Sequence, residues 1–152
     1  MAGIRMKTSV KLRSHGECLS HSRVDISTRD VSFTIDEPLE RNGTNLGPTP
    51  TDTALAALIG CTNTIGNKCA KALGVDIGTL TIDATCDFDR RGVTLEEEIE
   101  IPFTAITLNV VSNGTADQAD LDRVATETEK FCPLSKIFKA AGTELEVTWS
   151  KS

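Results

Sequence analysis

No apolar run in these 152 residues approaches the roughly 18 that a membrane-crossing helix needs, which argues against helical insertion into a bilayer. Met1 to Lys7 carry a little basic charge, but no apolar stretch follows them, so no secretory leader is expected and the cytoplasm is the expected location. Asn42-Gly43-Thr44 and Asn113-Gly114-Thr115 would then carry no glycan. Positive charge is short as well. Sixteen Lys and Arg against 22 Asp and Glu leave a formal charge of −6, a poor match for a phosphate backbone, so nucleic acid is not an expected partner. The five cysteines, Cys18, Cys61, Cys69, Cys86 and Cys132, form no regular framework. Their odd number points to a reducing compartment, in which a paired thiol is catalytic, metal-binding or simply buried. No repeat, low-complexity tract or linker interrupts the chain, and one domain over residues 1–152 is expected.

Apolar and polar residues alternate from Met6 to Leu12, again at Val24 and Ile26, and again at Val31, Phe33 and Ile35, which predicts opening strands. Arg41 to Pro50, rich in Gly, Asn, Thr and Pro, reads as a crossing loop. A helix should begin after it. Thr49 suits the N-cap, Pro50 the first helical position and Asp52 the capping-box acid, while Gly74 suits the residue after the last turn. The resulting helix is roughly 36 Å long and, apolar on every face from Ala54 to Ile59, is expected to be largely buried. Ala54, Leu58, Cys61 and Ile65 fall on one stripe of it, and Asn63, Asn67, Lys68 and Lys71 on its wet side.

Leu80 to Phe88 alternate as a strand, with Arg90-Arg91-Gly92 as its turn. Another extended segment is expected from about Ile99 to Val110, with Pro102 implying an edge or a bulge. A second helix should start near Thr115, capped with Gln118, and present Leu121, Val124, Ala125 and Thr128 on one face. Pro133 disfavours helical geometry at Cys132 and starts a short helix to Ala141, ended by Gly142. Leu145, Val147 and Trp149 alternate in a last strand, which makes the fold class α+β.

Cys61 inside a helix and Cys132 at a helix start differ in setting, since a helix N-terminus lowers a thiol pKa and an apolar wall raises it. Either thiol taken alone reads first as a small buried core residue. Cys69 and Cys86 read as core, and Glu96-Glu97-Glu98 as a solvated strand end. His15, Cys18 and His21 could offer three ligands to zinc but lack a fourth, so a polar turn is the reading there and neither metal nor cofactor is expected.

Asp36-Glu37-Pro38, then Gly43-Thr44-Asn45-Leu46-Gly47-Pro48-Thr49-Pro50, Ala56-Ala57-Leu58-Ile59-Gly60-Cys61-Thr62, and finally Phe131-Cys132-Pro133-Leu134-Ser135-Lys136 resemble the OsmC/Ohr family in order and setting. The resemblance implies antiparallel sheets around a long central helix in an intertwined homodimer. It also implies cofactor-free peroxidase chemistry on organic hydroperoxides, with Cys61 peroxidatic, Cys132 resolving it as a disulfide, and an external thiol or dithiol as reductant. The family supports its reactive cysteine with an acid and an arginine, which the resemblance assigns to Asp52 and to Arg13 at the end of the first strand, Arg41 being the second choice. Asn42-Gly43 replaces the common Gly-Gly, and the Asn-Pro-Glu motif of the Ohr branch is missing, which leaves the branch open. The competing expectation is a non-catalytic dimer that holds an apolar ligand around Cys61.

Overall fold

The structure is a computed structural model and describes Gly3 and residues 6–152, so the leader reading at Met1 to Lys7 lies partly outside the described residues. The chain forms two compact units, residues 1–53 and 54–152, with the boundary inside the first α-helix.

The first unit holds a three-stranded antiparallel meander: β1 (His15–Cys18), β2 (Val24–Thr28) and β3 (Val31–Ile35). β2 lies in the middle, pairing Cys18 with Val24 on one side and Thr28 with Val31 on the other. The alternation at Val24, Ile26, Val31, Phe33 and Ile35 thus forms the expected strands. Met6 to Leu12 do not. Met6, Val10 and Leu12 are 87%, 75% and 90% exposed, and a period of two becomes a strand only where a neighbour supplies hydrogen bonds and an apolar face to cover. β2 offers its free edge from His15 onward instead. Arg13 therefore precedes the first strand rather than ending it.

β3 runs into Asp36, a 3₁₀ turn at Leu39–Arg41 and a loop, before α1 (Pro50–Leu73) begins. The capping box is formed as expected: Asp52 N–H donates to Thr49 Oγ1 at 3.1 Å, and Thr49 N–H to the Asp52 carboxylate at 3.3 Å. Gly74, at φ 68°, takes the left-handed position that ends the helix.

In the second unit β4 (Leu80–Phe88), β5 (Phe103–Ser112) and β6 (Glu144–Lys151) form a sheet with β5 in the middle. β4 and β5 are antiparallel, but β6 runs parallel to β5, so the expectation of wholly antiparallel sheets needs correcting at this one ladder. The cause is the connection. Helices α2 (Gln118–Phe131) and α3 (Pro133–Ala140) carry the chain back to the end of the sheet where β5 began, and a strand that starts there can only run alongside it. Pro102 stands before the strand, not within it, because a central strand needs the N–H that proline lacks. The expected bulge is its neighbour: the register slips where Asp87 pairs with Ala105 and Phe88 with Phe103.

The second helix starts three residues later than expected. Asp76 binds both the N–H and the hydroxyl of Thr115, which removes that residue as a cap, and Asp117 caps instead by accepting from Asp120 N–H at 2.9 Å. Gln118 turns its amide to the Trp149 carbonyl, tying α2 to β6.

Two apolar clusters fill this unit. One gathers Cys69, Val110, Leu121, Val124 and Trp149; the other gathers Leu58, Ile106, Leu108, Cys132 and Phe138. Burying each such side chain contributes roughly 1.5–3 kcal/mol. α1 joins both clusters through Leu58, Thr62, Gly66, Cys69 and Ala70, and Gly66 is required by closeness: a Cβ there would lie 2.8 Å from Trp149 Cη2. In the single chain α1 is buried on one side only, and Ala56, Ala57 and Gly60 on the other side are exposed. One sheet covers one stripe of a helix.

Candidate functional site

Cys61 sits three turns into α1, about one turn beyond the fully buried Leu58, and packs into the cluster that contains Cys132. Cys132 is placed by its successor. Pro133 keeps it extended, at φ −72° and ψ 110°, so it ends α2 and caps α3 at once. Its N–H closes α2 on the Thr128 carbonyl, and its thiol takes the place of a capping oxygen, accepting from Ser135 N–H at 3.5 Å. The two sulfurs, 71 residues apart in sequence, come within 3.1 Å.

The two thiols differ electrostatically. Burial pushes Cys61 up from the ordinary thiol value; the Leu134 N–H works against this, and the adjacent Cys132 adds to it. Burial also pushes Cys132 up, but hydrogen bonds from the Ser135 side chain, from Cys61 and from the Ser135 and Leu134 N–H groups outweigh it, so Cys132 ionises more readily than a free thiol. The pair shares one negative charge more easily than it carries two.

Access differs too. Cys132 is 0% exposed while Cys61 is half-buried. Beside them an apolar pocket of about 310 Å³ is lined by Ala54, Phe103, Leu134, Ile137, Phe138 and Thr143, of which Ala54, Phe103, Leu134 and Phe138 also pack in the cysteine cluster. Phe103 meets Phe138 edge-on, with ring centroids 5.3 Å apart.

Arg13, Arg41 and Asp52 belong to the first unit and have local partners there. The Arg13 carbonyl accepts from the Thr28 hydroxyl, and its side chain makes no ion pair among the described residues. Arg41 Nε lies 3.1 Å from Glu37, and Asp52 completes the α1 cap. Among the described residues no three His, Cys, Asp or Glu side chains gather as a ligand set.

Two residues carry more than their sequence positions suggest. Asp36, wholly buried, accepts from Ser22 Oγ, from the N–H groups of Glu37, Thr44 and Leu46, and from the Thr44 hydroxyl. The Thr44 hydroxyl leads these donors in holding its carboxyl well below the usual range, against the cost of burial. Asp36 thereby folds the loop of the glycine-rich motif, in which a Cβ on Gly43 would lie 1.9 Å from the Glu37 carbonyl oxygen. Ser135 is the other; its signal was its place three residues after Cys132, the N3 position of a helix capped by sulfur.

The sequence profile of OsmC-like protein matches residues 43–148. No curated protein sequence matches the chain significantly. Among solved structures, an OsmC-like protein from Mycoplasma pneumoniae superposes with a TM-score of 0.79 at 16% identity, over 95% of this chain and 99% of that one. An organic hydroperoxide resistance protein OsmC from Legionella pneumophila gives 0.66 at 15% identity, over 96% and 99%. The organic hydroperoxide resistance protein OhrB of Bacillus subtilis gives 0.60 at 17%, over 94% and 98%. With a profile match over most of its length and this fold around its paired cysteines, the chain belongs to the OsmC-like family.

Proposed function

We propose that this chain is a thiol-dependent peroxidase that reduces organic hydroperoxides, works as a homodimer in the cytoplasm and is recycled by an external thiol. The observation that carries the reading is the 3.1 Å separation of Cys61 and Cys132. A disulfide needs about 2.05 Å, so roughly 1 Å of side-chain movement makes the bond. In the cycle, the Cys61 thiolate attacks the distal oxygen of ROOH, the O–O bond breaks, and the alcohol leaves after taking up a proton. Cys61 is left as a sulfenic acid, and the Cys132 thiolate attacks its sulfur, releasing water and forming the disulfide.

The apolar pocket suits the hydrocarbon part of such a peroxide, and two structural neighbours are named as hydroperoxide resistance proteins. Burial raises the Cys61 thiol, and a cation beside it would favour the thiolate. That role is proposed for Arg13, with Asp52 as its acid.

The same pocket favours a second reading, in which an apolar ligand is held without turnover. One assay separates the two. Reduced protein treated with cumene hydroperoxide should lose two thiols per subunit and yield a Cys61–Cys132 bond by peptide mass spectrometry. Retention of an apolar ligand with no loss of thiols supports the alternative. Full turnover in Cys61→Ser rules out the peroxidase as described.

A further inference from the structure

A disulfide between Cys61 and Cys132 would have two unequal sulfurs. Cys132 is 0% exposed, enclosed by the cluster of Leu58, Ile106, Leu108 and Phe138, whereas Cys61 is half-buried and stands next to the exposed Gly60 on α1. A nucleophile from solution can therefore reach only one end of the bond. The other end lies where a departing thiolate is best accommodated, at the first turn of α3, with Ser135 N–H 3.5 Å from the sulfur and the Ser135 side chain buried beside it. Thiol–disulfide exchange is fastest when the sulfur that leaves is the more stabilised thiolate. Access and leaving-group stability thus select the same direction.

We infer that reduction is one-directional: the external thiol attacks Cys61, Cys132 is the leaving group, and the Ser135 N–H in the first turn of α3 receives its charge. The inference rests on the proposed peroxidase cycle and specifies its reductive half. An external thiolate forms a bond to Cys61 Sγ as the Cys61–Cys132 bond breaks, and the electron pair of that bond passes to Cys132 Sγ. The product is a mixed disulfide on Cys61 and a free Cys132 thiolate. A second thiolate, from the same dithiol or from another molecule, then attacks the external sulfur of the mixed disulfide and releases Cys61 as thiolate. Two external thiols have become one disulfide, and the protein has regained both of its own.

The test forms the disulfide with diamide rather than peroxide, so that its result does not depend on peroxidase turnover. Failure of peroxide to oxidise the pair would sink the peroxidase reading and leave this experiment intact. Oxidised full-length protein is treated briefly with limiting 2-mercaptoethanol, quenched with N-ethylmaleimide and mapped by peptide mass spectrometry. The expected product carries mercaptoethanol on Cys61 and maleimide on Cys132. The reverse labelling, or an even division between the two, overturns the inference.

Discussion

Asp36 and Thr44 are joined twice across eight residues of loop, since the carboxylate of one accepts both the N–H and the hydroxyl of the other. With Ser22, Glu37 and Leu46 as further donors, a wholly buried anion is the hub of the segment between β3 and α1. Burial works to raise its pKa, and the ring of donors, led by the Thr44 hydroxyl, outweighs that.

Acid should therefore loosen this loop. Because the folded pKa is depressed below the unfolded carboxyl value of about 4, the stabilisation is complete above that pH and is lost as pH falls toward the folded value. Asp36→Asn turns an amide donor toward donors, so thermal melts at pH 7 should show a clear drop in midpoint. The gap between wild type and variant should narrow as pH falls below about 4. Melting curves that stay parallel from pH 7 to pH 2 would show that ionisation of Asp36 contributes nothing.

Thr49 and Asp52 allow a structural role to be separated from a chemical one. Either Thr49→Ala or Asp52→Ala removes half of the capping box, and each should cost about 1 kcal/mol in denaturant unfolding. If Asp52 also serves the peroxide step, Asp52→Ala should slow thiol loss to cumene hydroperoxide well beyond Thr49→Ala. Equal rates in the two variants would confine Asp52 to the cap.

What could be read from the sequence was whatever local chemistry decides alone. The limits of α1 follow from Thr49, Pro50, Asp52 and Gly74, and β4 from an unbroken alternation. The same alternation failed at Met6 to Leu12, because a strand also needs a partner, and pairing is not a local property. The parallel run of β6 was hidden for a related reason, since direction depends on where α2 and α3 deliver the chain. At the site, the motif resemblance singled out both cysteines, but no periodicity could bring residues 71 positions apart to 3.1 Å. Asp36 stood inside a quoted motif, yet nothing in an acidic residue before Glu37-Pro38 distinguishes a buried hub from a solvated charge.

The mutual influence of the two thiols can be measured directly. Burial is the main cause of the raised Cys61 pKa, and Cys132 adds to it by hydrogen bonding and by its own charge. Cys132→Ser removes the charge and leaves a hydroxyl able to donate to a thiolate, so Cys61 should ionise at lower pH. The pH profile of iodoacetamide alkylation at Cys61, followed by mass spectrometry, should have its midpoint moved downward in Cys132→Ser. An unchanged midpoint would mean that burial alone sets the reactivity of Cys61.

Gly66 and Gly60 provide a test of how α1 is seated, read through the chain's single tryptophan. A Cβ on Gly66 would meet Trp149 Cη2 at 2.8 Å, and Trp149 is only 6% exposed, so Gly66→Ala must push the indole or the helix outward. Overpacking of this kind costs about 1–3 kcal/mol, and the tryptophan emission should shift to the red as the ring meets water. Gly60 lies on the open side of the same helix with nothing within 4 Å of a new Cβ, so Gly60→Ala should stabilise by about 0.5–1 kcal/mol through helix propensity, with emission unchanged. Opposite signs from two Gly→Ala changes six residues apart would locate the packed and open stripes of α1. A destabilising Gly60→Ala would show instead that this side of the helix is covered in solution.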